Sequence, residues 1–130
     1  MDVSAAFALA TGNPRDAGFV QALMQAEAVL VPDLFVSEAC NTAWKYYHIE
    51  GASLADIQVL AQRAIGLPDQ IVSVADLWAD ALVLAHQLDH PVYDCLYLVL
   101  ARQRDAHLLS LDKRLLRLAE GLGIKYVTGE

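Results

Sequence analysis

The sequence predicts an α/β fold, a mainly parallel sheet with helices on both faces. Three observations carry this. Short apolar runs of strand length alternate with longer segments of helical period along the whole chain. Turn and cap residues, among them Pro32, Gly51, Pro91 and Gly121, punctuate the boundaries between those segments. The 130 residues are 56% apolar with only 7 Gly and 4 Pro, which suits one domain over residues 1–130, able to bury a core without disulfides or structural zinc.

Taken in order, Val3 to Leu9 reads as a short helix ending near Ala10, ahead of Thr11-Gly12-Asn13-Pro14. Asp16 to Ala26 is a second helix, and Ala28 to Val31 a β-branched buried strand stopped by Pro32. Asp33 to Ile49 is helical, with Asp33 as N-cap and Gly51 near its end. Ser53-Leu54-Ala55-Asp56 and Ser73-Val74-Ala75-Asp76 both fit capping-box spacing and open helices running to about Ile65 and Leu88. Between them, Gln70 to Ser73 has room only for a strand. Pro91 suits the first turn of a helix from Val92 to Gln103, where no amide hydrogen is needed. His107 to Ser110 reads as a strand, Asp112 to Glu120 as a helix ended by Gly121, and Ile124 to Val127 as the last strand.

Charge and cysteines narrow the class. The formal net charge of −7 argues against broad, charge-driven adhesion to nucleic acid or anionic membrane, so phosphate chemistry would need an intermediary cation. Cys40 and Cys95 lack metal or redox spacing and read as reduced core residues, which suits a cytoplasmic protein. No apolar run reaches the roughly 18 residues a membrane span requires, so no membrane partner is expected.

In open parallel sheets, ligands gather beyond the carboxyl ends of the strands. Asp2 and Asp112 would lie there, Asp94 falls in the first turn of its helix, and Glu38 sits inside an apolar helix beside Leu34, Phe35, Ala39 and Cys40. Singly, each has an ordinary role: Asp112 as an N-cap, Asp94 as a partner of the helix dipole, Asp2 as a solvated terminal residue. Glu38 is harder to explain, because ionised carboxylates seldom sit on apolar helix faces without a partner or a metal. Brought together, four carboxylates would repel one another, and a hard cation such as Mg2+ or Mn2+ is the usual compensation. Two such ions roughly 3.5–4 Å apart can activate a water and stabilise the leaving oxygen of a phosphodiester.

These residues fall in stretches that resemble, in order, the motifs of the PIN domain family, particularly its VapC-type toxins. The stretches are Asp2-Val3-Ser4-Ala5-Ala6, Val31 to Asn41 with Glu38 at its centre, Val92-Tyr93-Asp94-Cys95-Leu96-Tyr97 continuing to Ala101, and Ala106 to Leu115 with Ser110 and Asp112. The resemblance implies a three-layer α/β/α fold around a five-stranded parallel sheet and a magnesium- or manganese-dependent endoribonuclease acting on RNA. It assigns Asp2, Glu38, Asp94 and Asp112 to the catalytic metal site. Ser4 and Ser110 match hydroxyl positions of the family whose oxygens orient a carboxylate or a water, the alternative being strand-end hydrogen bonding. Asn41, three residues after Glu38, is a further supporting candidate.

Two positions depart from the family pattern. Only Met1 precedes Asp2, where relatives carry several apolar residues forming the central strand, so either the chain begins at an internal start or that strand is very short. Lys113, Arg114 and Arg117 stand where some relatives place another acid, which leaves a one-metal mechanism open.

Residues 1–101 hold three basic and twelve acidic side chains, a balance of −9, while residues 102–130 hold six basic and four acidic, a balance of +2. Lys113, Arg114 and Arg117 are therefore candidates for sequence-blind phosphate contacts with RNA, with solvated helix charges as the alternative; Arg102 and Arg104 favour the latter. Trp44, Tyr46, Tyr47 and His48 cannot all face one core; Trp44 itself reads as core, and the resemblance makes the exposed members of the cluster a candidate surface for a protein antitoxin or a second copy in a homodimer. Trp78 reads as core, and none of the four histidines is given a catalytic role. A PIN-like interaction module without catalysis is the rival reading. A receiver-like phosphoacceptor would need paired acids after the first strand, which Asp2-Val3-Ser4 lacks.

Overall fold

The structure, a computed structural model, describes residues 1–129. Helix α1 (Val3–Thr11) begins directly after Asp2, whose side chain caps it, and ends at Gly12 in the left-handed conformation that glycine adopts without strain. A 3-10 turn over Pro14–Asp16 leads into α2 (Ala17–Gln25). Strand β1 (Leu30–Pro32), the long helix α3 (Leu34–Glu50), α4 (Leu54–Ile65) and β2 (Gln70–Val72) follow. The second half runs through α5 (Trp78–Leu88), α6 (Val92–Gln103), β3 (Leu108–Leu109), α7 (Lys113–Gly121) and β4 (Tyr126–Val127).

Ser53 opens α4 as its sequence signature requires, its hydroxyl accepting the Asp56 N–H at 3.1 Å. Ser73 carries the same signature with a different result. Its hydroxyl takes the Ala75 N–H and starts only a 3-10 turn, Val74–Asp76, so α5 begins later, at Trp78.

Strand pairing is parallel throughout, but the expected five-stranded sheet is not formed. The described residues hold two separate two-stranded sheets, β1 with β2 and β3 with β4. Met1 and Asp2 lie between them, the Met1 amine donating to Leu30 O at 3.2 Å and the Asp2 N–H to Leu109 O at 3.0 Å. Those two residues hold the position of a central strand, with one backbone hydrogen bond to each side, too few for a ladder. Where the rest of such a strand would run lies a cavity of about 540 Å3, lined by Met1, Leu30, Tyr97, His107 and Leu108 among others.

Layering survives this gap, because alternate strand residues face opposite helix packs. Leu30, Val72 and Leu108 join a core built by α5, α6 and α7. Val31, Leu109 and Val127 join the other, built by α1, α2, α3 and α4 around Phe7, Phe19 and Phe35. Helices thus cover both faces, as predicted.

Three burial expectations are corrected. Cys95 is buried, but Cys40 is exposed on α3. Trp78 is 57% exposed, since the late start of α5 leaves it at the solvent edge of the first turn while Ala81 and Leu84 enter the core. Trp44, read as packed in the core, is 45% exposed on α3.

Candidate active site

Asp2, Glu38, Asp94 and Asp112 line one pocket of about 280 Å3, together with Ser4, Thr42, Tyr97 and Leu115. Each acid arrives from a different element: the N-cap of α1, the second turn of α3, the first turn of α6 and the N-cap of α7. Parallel strands feeding helices bring these helix starts to one end of the sheet, where the dipoles of α1, α6 and α7 favour negative charge.

Asp2 is the most enclosed of the four, at 7% exposure. Its Oδ1 accepts from Ser4 Oγ at 2.6 Å and from the Ala5 N–H at 3.1 Å, and its Oδ2 accepts from Ser110 Oγ at 2.5 Å. Burial pushes its carboxyl above the usual carboxylate range, and the hydrogen bonds from Ser110, Ser4 and Ala5 act in the opposite sense. Ser110, wholly buried, also accepts the Asp112 N–H at 2.9 Å, and Ser4 accepts the Leu111 N–H at 2.8 Å. The two hydroxyls therefore tie the start of α1 to the turn that carries Asp112. They bond to strand-end backbone and to a carboxylate at once.

Glu38 is half-buried, and Tyr97 Oη donates to its Oε1 at 2.6 Å. Burial raises its pKa, the Tyr97 bond lowers it, and the charges of Asp2 and Asp94 raise it again. Tyr97 in turn is pushed far up, by burial first and by Glu38 next, so its proton stays on the phenol. Asp94 is held from outside the pocket: His90 Nε2 lies 2.7 Å from its Oδ2, and Arg114 Nη2 lies 3.1 Å from His90 Nδ1. Asp112 is exposed, and its Oδ1 caps α7 through the N–H groups of Arg114 and Leu115 at 2.9 and 3.3 Å.

The donor set is all oxygen and anionic, the chemistry that magnesium or manganese prefers. Mutual repulsion is already felt in the raised Glu38 pKa, which a bound cation would relieve. Among the described residues no three such groups converge closely enough to hold one ion as they stand. Each carboxylate is instead drawn to its own hydroxyl, phenol, imidazole or N–H partner; the residues match a cation in donor type and share one pocket, but do not form a closed ligand set.

A family model for the PIN domain matches residues 1–121. The chain belongs to the PIN domain family. PIN domains are generally nucleases and generally use divalent metals. No curated protein matches the chain. No helix among the described residues is long and apolar enough to cross a membrane.

Of the supporting residues expected in this PIN domain, Ser4 and Ser110 reach the acids. Asn41 is exposed, and its neighbour Thr42, four residues after Glu38, lines the pocket instead. Lys113 and Arg117 are exposed on α7, while Arg114, also exposed, contacts His90. Tyr97 and His90 were missed by sequence reasoning. Tyr97 was readable as a polar-tipped residue one turn from Asp94 on α6, whereas His90 lies before Pro91 and shares no helix with Asp94.

Proposed function

We propose that this PIN domain is a magnesium- or manganese-dependent endoribonuclease hydrolysing RNA phosphodiester bonds, the VapC-type toxin of a type II toxin–antitoxin pair acting in the cytoplasm. The observation that carries the reading is the convergence of Asp2, Glu38, Asp94 and Asp112, four acids distant in sequence, on one pocket at the carboxyl end of the strands. Those four residues would hold one or two cations, which when bound activate a water and stabilise the leaving oxygen.

The chain's own residues supply the positioning. Ser4 and Ser110 fix both oxygens of Asp2, so its carboxylate cannot turn away from the pocket. Tyr97 engages only Oε1 of Glu38, leaving Oε2 to orient a water or take its proton, a role suited to a carboxylate whose pKa is raised. The exposed cations Lys113 and Arg117 at the start of α7 supply phosphate contacts flanking the cleaved bond.

Trp44 and Tyr47 support a protein partner. Both are about half exposed on α3, and Trp44 stacks on His48 at 4.6 Å between ring centroids. Such a rigid aromatic pair suits an antitoxin or a second copy of the chain. The acidic surface of residues 1–101 suits a basic antitoxin segment.

Cleavage of a labelled single-stranded RNA, with and without Mn2+ and with Asp94→Asn, tests the reading. Metal-dependent cleavage that disappears in the variant, with an unchanged circular dichroism spectrum, is the expected result. Cleavage retained in Asp94→Asn overturns the assignment. Absence of both cleavage and Mn2+-induced thermal stabilisation favours the interaction module without catalysis.

A further inference from the structure

Helix α5 ends on Asp89 in the left-handed conformation (φ 49°), and the next N–H, that of His90, closes back on Ala85 O at 3.0 Å. Pro91 follows, with φ −54° and ψ 145°, and restricts the residue before it to extended backbone. His90 is thus pinned from both sides in a tight link between two helices. Its imidazole, 6% exposed, packs against the first turn of α6 with Nε2 at 2.7 Å from Asp94 Oδ2.

The other imidazole nitrogen decides the proton's place. Arg114 is permanently charged and has only donors, so the 3.1 Å contact between Nη2 and His90 Nδ1 requires Nδ1 to accept. The hydrogen of the neutral ring then sits on Nε2 and is donated to Asp94 Oδ2. The backbone of Arg114 is itself placed by Asp112, whose Oδ1 accepts the Arg114 backbone N–H at 2.9 Å. The chain Asp112, Arg114, His90, Asp94 therefore connects two acids of the pocket through the outside of the site.

We propose that His90 and Arg114 are positioning residues: Arg114 fixes the imidazole tautomer, and His90 uses it to hold Asp94 Oδ2 so that Oδ1 is presented to the cation. The proposal rests on the reading of Asp94 as a metal ligand. It also reassigns Arg114, expected from the sequence to contact RNA phosphate, to the support of the metal site. Carboxylate ligands are commonly held by hydrogen bonds from behind, and losing such a partner typically weakens metal affinity 10- to 100-fold.

Two measurements on the full chain test it. Nitrogen-15 spectra of the imidazoles, recorded metal-free at pH 8, read the tautomer directly. The expected wild-type signal for His90 is an Nε2–H ring, shifting toward a mixture of tautomers in Arg114→Ala. Calorimetric titration with Mn2+, without RNA, should show His90→Ala weakened roughly 10- to 100-fold and Arg114→Ala several-fold. His90→Gln, whose amide donates from a similar position, should recover most of the affinity, which a loss of packing alone would not permit.

The proposal is overturned by an Nδ1–H tautomer in the wild type, or by Mn2+ affinity unchanged in both alanine variants; an Arg114→Ala effect confined to RNA binding has the same force. If the wild type binds no Mn2+, the metal reading fails, and the tautomer spectrum still decides whether Arg114 sets the ring.

Discussion

Replacing Ser110 by alanine should isolate the hydrogen bonds that hold the first acid of the site. The side chain is wholly buried, and alanine keeps its shape but for one oxygen, so the cavity contribution is small. Two bonds and a weaker 3.4 Å contact with Ser4 Oγ disappear. The donation from Oγ to the buried Asp2 carboxylate, at 2.5 Å, is charge-assisted and worth roughly 1.5–3 kcal/mol. The acceptance from the Asp112 N–H, at 2.9 Å, is worth about 1 kcal/mol. A loss of about 3 kcal/mol follows where Asp2 is ionised, and at roughly 4 °C per kcal/mol for a chain of this length Tm should fall by about 12 °C.

The pH dependence separates the two bonds. The Ser110 hydroxyl stabilises the ionised form of Asp2, so its removal raises a carboxyl already lifted by burial. The deficit should be full where Asp2 is ionised and shrink as pH falls through its raised pKa, leaving only the part due to the Asp112 N–H. Scanning calorimetry of both proteins in chelator from pH 7 downward provides the assay, and Ser110→Thr, which keeps the hydroxyl, is the control. A fall of less than about 3 °C at pH 7 would refute the reasoning. A deficit independent of pH would do so too, by showing that packing and not the carboxylate bond was lost.

Glu38→Gln should raise the Tm of the metal-free protein by roughly 2–5 °C at pH 7, because it removes a charge disfavoured by burial and by Asp2 and Asp94 while leaving a carbonyl for Tyr97. Since the folded pKa of Glu38 is raised, that gain should vanish as pH falls through it, and a lowered Tm at pH 7 would contradict the account. Tyr97→Phe should act oppositely, costing about 1–2 kcal/mol at pH 7 through loss of the 2.6 Å bond to Glu38, with the deficit shrinking in acid. Gly18→Ala should destabilise by about 1–3 kcal/mol, read as a lower urea midpoint with unchanged slope, because a Cβ there would stand 2.7 Å from the Thr128 carbonyl oxygen.

Every helix was legible in the amino-acid pattern to within a few residues, because apolar period and cap chemistry are local. Ser53 and Asp112 announce their helices by side chains that do accept the N–H groups in question. Ser73 shows the limit: the same local signal closes only a 3-10 turn, since Leu77 is drawn into the core and α5 starts after it. Trp78 and Cys40 were misplaced for a related reason, as apolar residues on a helix covered on one side only must partly face water.

The four acids were chosen from sequence by their positions at strand and helix ends and by family resemblance. That they share a pocket is a matter of which strands lie side by side, a long-range property that no local pattern contains. The sheet shows this most directly. Local composition marks four strands and leaves two residues for a fifth, but the pairing into two separate sheets, with Met1 bonded to Leu30 and Asp2 to Leu109 between them, is long-range. What the sequence determined by itself was the α/β class, most helix boundaries and the candidate carboxylates, all matters of periodicity and residue chemistry. Only the tertiary structure decided which group holds each carboxylate: Ser110 for Asp2, Tyr97 for Glu38 and His90 for Asp94, partners 108, 59 and 4 residues away. Side-chain hydrogen bonds form over about 3 Å of space, and separation along the chain does not measure that distance.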